Sequence, residues 1–338
     1  MNRTLIILRA GPGLTVQDHG RSGLLDRGLS VGGAADQRAL AEGAALLGQG
    51  AQLAALEMAG MGGEFAVTAS SRIALTGAPM RATLDGEPLV WNASHAIAPS
   101  QRLSIGPATS GVYGYLHFGG GIDLPPQMGA RSAHLTAGIG ALLADGDRLA
   151  LGEDTGTLTG LILPVEDRFS GGSLRVVPSI QTENFSKADH QRFAQTEFTR
   201  DPRGNRMGVR LAFEGAPFQV EDQLGIVSEI IVPGDIQITG DGAPFILLGE
   251  CQTIGGYPRI ATVIPTDLPR VAQAAPGAAF SFEFITRSEG FAAIKADAEA
   301  RAALSSRVAP LVRDPRDISD LLSYDFISGV TDGKAEGE

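Results

Sequence analysis

Cys251-Gln252-Thr253-Ile254-Gly255-Gly256-Tyr257-Pro258-Arg259-Ile260-Ala261-Thr262-Val263-Ile264 is the stretch on which the reading of this chain turns. The apolar run Pro244-Phe245-Ile246-Leu247-Leu248 leads into it, and a β-branched run leaves it. Both flanks read as strands, because β-branched and apolar residues fit a pleated, buried surface. Between them, the glycine pair permits positive φ and close approach of a ligand, while Pro258 fixes its own φ and restricts Tyr257. Such a turn presents Gln252, Thr253 and Arg259 to a small polar substrate. A rigid hairpin loop with no ligand is the competing reading.

Outward from this loop the texture is β. Forty-five glycines and 19 prolines among 338 residues separate short runs of Val, Ile, Leu and Thr. That spacing favours sandwiches or barrels over a parallel α/β sheet. Strands are expected at Leu56–Met58, Glu64–Val67, Ile73–Leu75, Ala82–Leu84, Pro88–Trp91, Leu103–Ile105, Val112–Phe118 and within Pro276–Phe284. Asp85-Gly86 marks a two-residue hairpin turn. Helices are expected up to Leu47, with Gly48 as terminator, from a Ser186 cap to Ala194, over Thr266–Gln273, and over Phe291–Leu304. Ile73–Pro79 and Ile236–Pro244 form a weak internal repeat. The polar stretch from Glu166 through Ser173 reads as a flexible linker, giving units over 1–168 and 174–288, with a helix and tail over 289–338. Thr331–Glu338 reads as disordered.

Composition narrows the function. Hydrophobic residues make up 43% and charged residues 19%, with a formal net charge of −11. An acidic chain lacks the basic footprint of a nucleic-acid binder. Only three lysines occur (Lys187, Lys295, Lys334), so an oxyanion would be met by guanidinium groups. The single cysteine, Cys251, excludes an internal disulfide and reads as a buried thiol rather than a nucleophile. The five histidines show no metal-ligand spacing. No apolar run of about 18 residues is present and no cleavable leader is evident. The expectation is a cytoplasmic protein without a membrane span.

Gly28-Leu29-Ser30-Val31-Gly32 matches the G-x-S-x-G nucleophile elbow. That motif needs a parallel α/β sheet and later Asp and His partners, and the β texture argues against it. The same glycines, at a helix start, would instead offer free N–H groups to an anion. No Walker-type phosphate loop and no dinucleotide fingerprint in a strand–helix context occurs.

Gln252-Thr-x-Gly-Gly-Tyr-Pro-Arg259-Ile-Ala resembles the signature of the biotin-dependent carboxyltransferase-like family. This group spans the C component of bacterial 5-oxoprolinase, the Kip antagonist and urea amidolyase-related carboxyltransferase halves. Four further segments carry the likeness: Thr15-Val-Gln-Asp18 with Gly20-Arg21, Gly120-Gly-Ile-Asp123, Gly129-Ala-Arg131-Ser132, and Asn205-Arg206-Met-Gly-x-Arg210-Leu. Asn205 stands where the family more often has Asp, and His19 where an apolar residue is more usual. The resemblance implies two tandem cyclophilin-like β-barrel units with short helices. It implies the C component of an ATP-dependent 5-oxoprolinase complex. Its partners would be a Kip-inhibitor-like protein of the same family (the B component) and a lamin-B-like hydrolase (the A component). Arg259, Arg206 and Gln252 would be catalytic, and Thr253, Gly255, Gly256, Tyr257, Arg131, Ser132, Asp18 and Arg21 would bind substrate. ATP would be used with a partner, and any biotin would be carried on another chain, because the Met-Lys-Met carrier element is missing. A carboxyltransferase acting on a urea-like amide and a non-catalytic Kip-antagonist-like regulator are the alternatives.

Overall fold

The computed structural model describes residues 3–220, 228–312 and 316. The first half stacks two antiparallel sheets. One runs in the order Arg148–Ala150, Thr4–Arg9, Glu64–Val67, Leu103–Ala108, Met80–Leu84, Glu87–Leu89. The other runs Thr15–Gln17, Ala55–Ala59, Tyr113–Phe118, Ser71–Gly77, Ala93–Ile97, Leu161–Ile162, Ala309–Pro310. Side chains alternate across a strand, so Leu5, Ile7 and Phe65 of one sheet meet Leu56, Met58, Leu75 and Phe118 of the other in a shared core.

Ser71–Gly77 and Tyr113–Phe118 are buried along their whole length. Their outer face is covered by helix α1 (Gln37–Leu47), whose Leu46 and Leu47 pack on Ala74. A strand buried on both faces reads as an unbroken apolar run, as Ile73-Ala74-Leu75 does. Asp36 caps α1 by accepting from the N–H groups of Arg38 and Ala39, and Gly48 ends it in the left-handed region.

The second half closes into a seven-stranded barrel: Gly172–Val177, Arg259–Val263, Asp235–Ile238, Pro244–Leu247, Gly208–Ala212, Phe198–Asn205 and Ala279–Phe284. Its first and last strands pair in parallel to complete the ring. Phe193 of helix α2 (Lys187–Gln195) reaches into the phenylalanine core, stacked on Phe282 at 4.6 Å and tilted against Phe198 at 5.1 Å. Helix α3 (Leu268–Gln273) buries Val271 and Ala272 in the same core. That core continues into the first half through Leu40, Ala55, Tyr113 and Tyr115. Helix α4 (Arg287–Ala302) follows the barrel, and Ala309–Pro310 then pairs with Leu161–Ile162 at the edge of the first half's sheet.

The mainly β reading with short helices holds, and several local readings shift. The Asp85-Gly86 hairpin forms as expected, with both residues at positive φ. Trp91 lies beyond its strand and donates its indole N–H to Gly77 O at 3.1 Å. The strand Ala93–Ile97 was unmarked in the sequence and follows Asn92, which is in the left-handed region. The two copies of the weak repeat fold differently: Ile236–Pro244 is a paired hairpin, while Ile73–Pro79 crosses from one sheet to the other. The stretch taken for a flexible linker is anchored. Arg168 is buried between Asp36 and Glu42 at 2.6 and 2.7 Å, and Gly172 already belongs to a barrel strand. Thr331–Glu338 lies outside the described residues.

Candidate functional site

A two-residue turn links Asn205 to Gly208, and Asn205 Oδ1 closes it by accepting the Met207 N–H at 2.8 Å. Asn205 therefore does what an Asp would do as an acceptor here. Arg206 sits at the tip of this hairpin and points out of the barrel toward the first half. Its guanidinium donates to Glu250, to Glu57 and to the Gly33 carbonyl. Glu57 also accepts from the Tyr115 hydroxyl at 2.6 Å and the Ala35 N–H at 2.8 Å. Desolvation works against the Arg206 charge, but the two carboxylates more than offset it, raise the pKa and hold the group firmly charged. The same pairing holds Glu250 below the ordinary carboxylate range against the pull of burial.

From Glu250 the network runs to the mouth of a cleft. Glu250 Oε2 accepts from Thr136 N and Oγ1, both at 3.2 Å. It lies 3.8 Å from His134 Nδ1, while His134 Nε2 is 2.9 Å from Ser30 Oγ. Burial pushes the His134 pKa down, so the ring is neutral near pH 7. Gly32 packs on this imidazole at φ 60°, where a Cβ would lie 2.9 Å from His134 Cδ2. Its N–H donates to Gly249 O at 2.8 Å, fixing the glycine loop to the second half.

These segments line a cavity of about 440 Å³ whose walls include Ser30, His134, Thr136, Cys251, Gln252 and Thr253. A smaller, more apolar crevice of about 180 Å³ continues on the other side of Gly32 and Gly33, beside Arg206, Leu248 and Leu268. The cleft is thus built from the first-half glycine loop, the turn at 135–137 and the start of the Cys251 segment. Burial pushes the Cys251 thiol up to about 12, which leaves it a neutral, inert wall residue.

The sequence-predicted residues divide. Gln252 and Thr253 face the cavity, and Arg206 anchors its wall. Gly255 pairs with Glu229, and Gly256 and Tyr257 are exposed outside the cavity lining. Arg259 points inward, away from the cleft. Its side chain donates to Ile230 O at 2.8 Å, Asp235 at 3.2 Å and Glu229, and Gln181 accepts its backbone N–H at 3.0 Å. With Nε also directed at Gln181 Oε1 at 3.4 Å, four of its five guanidinium N–H groups are tied to the fold, which leaves no paired edge for the oxyanion role expected from the sequence. Asp18, Arg21, Arg131 and Ser132 form a clamp behind the glycine loop, outside the cavity lining. There the Arg21 N–H donates to Val31 O at 2.7 Å and the Ala34 N–H to Asp18 O at 2.8 Å. Arg21 donates to Ser132 Oγ and O and to Gln127 O, and Asp18 accepts the Arg131 N–H at 2.6 Å. Two residues central to the site, His134 and Glu250, carried no sequence signal, since neither sits in a recognised spacing. Ser30 was marked only by the elbow pattern.

Residues 27–284 match the carboxyltransferase domain, subdomains A and B. The chain belongs to the carboxyltransferase-domain family. Within that family it is 36% identical over 279 residues to the C component of 5-oxoprolinase from Escherichia coli (strain K12), covering 80% of this chain and 87% of the relative. It is 26% identical over 301 residues to the urea amidolyase of Saccharomyces cerevisiae, of which it spans 16%. The fold of the Kluyveromyces lactis urea carboxylase superposes over 92% of this chain and 31% of the other, with a TM-score of 0.80 at 22% identity. Among the described residues of this carboxyltransferase-domain chain, no helix is long and apolar enough to cross a membrane.

Proposed function

We propose that this chain is the C component of an ATP-dependent 5-oxoprolinase, which opens the lactam of 5-oxoproline to glutamate together with two partner proteins. The observation that carries the reading is the 36% identity to a protein of that name over most of both chains. The cleft supports it chemically. Opening a stable amide breaks its C–N bond. Phosphorylation of the carbonyl oxygen by ATP, with release of ADP, activates the carbon toward water. The ring nitrogen then leaves with a proton as an acyl phosphate forms, and hydrolysis of that acyl phosphate gives glutamate and phosphate. Gln252, Thr253 and Ser30 supply hydrogen-bonding groups to orient a small cyclic amide in the cavity.

We assign the nucleotide to a partner. A cavity of about 300 Å³ beside α4 holds Arg38, Arg168, Arg175 and Arg270, but Glu166, Asp167, Asp267 and Asp297 face the same space. Four cations against four carboxylates leave no net positive field for a polyphosphate. We therefore assign ATP binding to a Kip-inhibitor-like partner or to a lamin-B-like hydrolase partner. Such an ATP-consuming assembly belongs in the cytoplasm.

A second reading draws on the family's name and the urea amidolyase likeness: transfer of CO₂ from carboxybiotin, held on another chain, to a urea-like amide. The test is co-purification with the two partner proteins, followed by ATPase assays with and without 5-oxoproline. Turnover that needs all three chains and 5-oxoproline is expected. Biotin-dependent carboxylation of an amide would favour the second reading, and partner binding without any turnover would favour a Kip-antagonist-like regulator.

A further inference from the structure

We propose that Ser30 is a hydrogen-bond donor to the substrate's carbonyl oxygen, oriented by His134, and not a nucleophile. This deepens the reading of the cleft as a small-amide site and rests on it. A neutral imidazole has one donor nitrogen and one acceptor nitrogen. The Ala137 N–H is shared between His134 O at 3.1 Å and His134 Nδ1 at 3.2 Å, and an accepting Nδ1 places the ring proton on Nε2. Glu250 does not reverse this assignment. Its Oε2 is 3.8 Å from Nδ1, beyond hydrogen-bond length, and is taken by Thr136.

A serine-hydrolase triad needs the opposite arrangement, with Nδ1–H on the carboxylate and a bare Nε2 facing the serine. Here Nε2–H donates to Ser30 Oγ at 2.9 Å. The serine oxygen is an acceptor from the ring and keeps its own proton. No second partner for Ser30 Oγ occurs among the described residues. A hydroxyl that already accepts a hydrogen bond is a stronger donor, because the two bonds polarise one another. Its proton is directed to the cavity that Ser30 shares with Gln252 and Thr253. An amide or lactam carbonyl is the group that such a donor, flanked by a side-chain amide and a hydroxyl, is suited to take.

Three measurements test this in the assembled complex and in the single chain: variant kinetics, covalent labelling and NMR. Ser30→Ala should lower 5-oxoproline-dependent kcat by about 10²-fold, the loss typical of one donor to a developing oxyanion. Ser30→Thr, which keeps the hydroxyl, should recover part of it. His134→Gln, whose amide can donate to Ser30, should retain more activity than His134→Ala. A fluorophosphonate probe should leave Ser30 unlabelled. Nitrogen-15 NMR of the labelled single chain should show His134 protonated at Nε2 and bare at Nδ1. Wild-type kinetics in Ser30→Ala, covalent labelling of Ser30, or the Nδ1–H tautomer would each overturn the proposal. A wild-type complex without 5-oxoproline turnover would instead remove the lactam reading, and the tautomer and labelling results would still decide the role of Ser30.

Discussion

Arg206, on a hairpin of the barrel, donates to Glu57, on a strand of the stacked sheets 149 positions away in sequence. Both carboxylates, Glu57 and Glu250, are buried, and the guanidinium that they share is largely covered. Removing the cation would strand two carboxylates in a place that water reaches poorly. Arg206→Ala should therefore cost about 3–5 kcal/mol of stability, the usual penalty for breaking a buried pair from one side. Arg206→Lys should recover little, since one ammonium cannot span Glu250, Glu57 and Gly33 O with the geometry of a fork. Urea denaturation of the single chain measures both.

Arg259 should behave as a stabilising residue rather than a catalytic one. Asp235, one of its acidic partners, is buried, and the other, Glu229, is 42% exposed. We expect Arg259→Ala to lower the unfolding midpoint clearly. In the assembled complex, kcat measured well below that midpoint should stay within a few-fold of wild type. A loss of about 10²-fold at full folding, of the size that follows removal of an oxyanion donor, would restore Arg259 to the site.

His117 gives the stability an acid-sensitive component. Its ring is buried against Gly43 of α1, and its Nε2 lies 2.8 Å from Thr76 Oγ1. Burial lowers its pKa to about 3, from an ordinary 6.5. The unfolded chain therefore binds a proton that the folded chain refuses. The resulting stability is complete above pH 6.5 and is lost as pH falls toward 3. Between those limits the slope approaches about 1.4 kcal/mol per pH unit for one proton. Denaturation of wild type and His117→Gln at pH 7 and pH 4.5 should show a smaller acid loss in the variant.

Gly32→Ala tests how tightly the cleft is built. The new methyl would occupy a left-handed backbone position and press on His134 Cδ2. We expect roughly 1–2 kcal/mol of destabilisation from the backbone term, with a larger proportional loss of 5-oxoproline-dependent turnover than of stability. Equal, small effects on both would separate the His134 ring position from activity.

The local grammar of the fold was readable, whereas its long-range pairings were not. Asp85-Gly86, the Ser186 cap and Gly48 each act within a few residues, and each appears where its chemistry placed it. The true start of α4, at Arg287, also has a local cause, the capping box of Thr286 with Glu289. The arginines are different. Their charge is visible in the sequence, but their partners come from remote strands, so Arg259 and Arg168 reveal their structural work only after folding. In the cleft, Gln252 and Thr253 announced themselves through the flanking glycines. His134 and Glu250 were silent because a lone residue without a spacing rule carries no local signal.

The pairing of Ala309–Pro310 with Leu161–Ile162 gives the chain's last described strand a tenancy in a sheet that was otherwise complete some 150 residues earlier. Leu304 reinforces it by packing with Leu46, Leu47 and Leu163. The polypeptide is therefore buckled: the end of the barrel segment is fastened back onto the opening half. Cutting the chain between the halves would not yield two self-sufficient pieces. The front piece would lose its edge cover, and the back piece would carry an orphaned clasp. Fragments divided near residue 170 should regain their native form only when mixed, as complementing parts of one molecule.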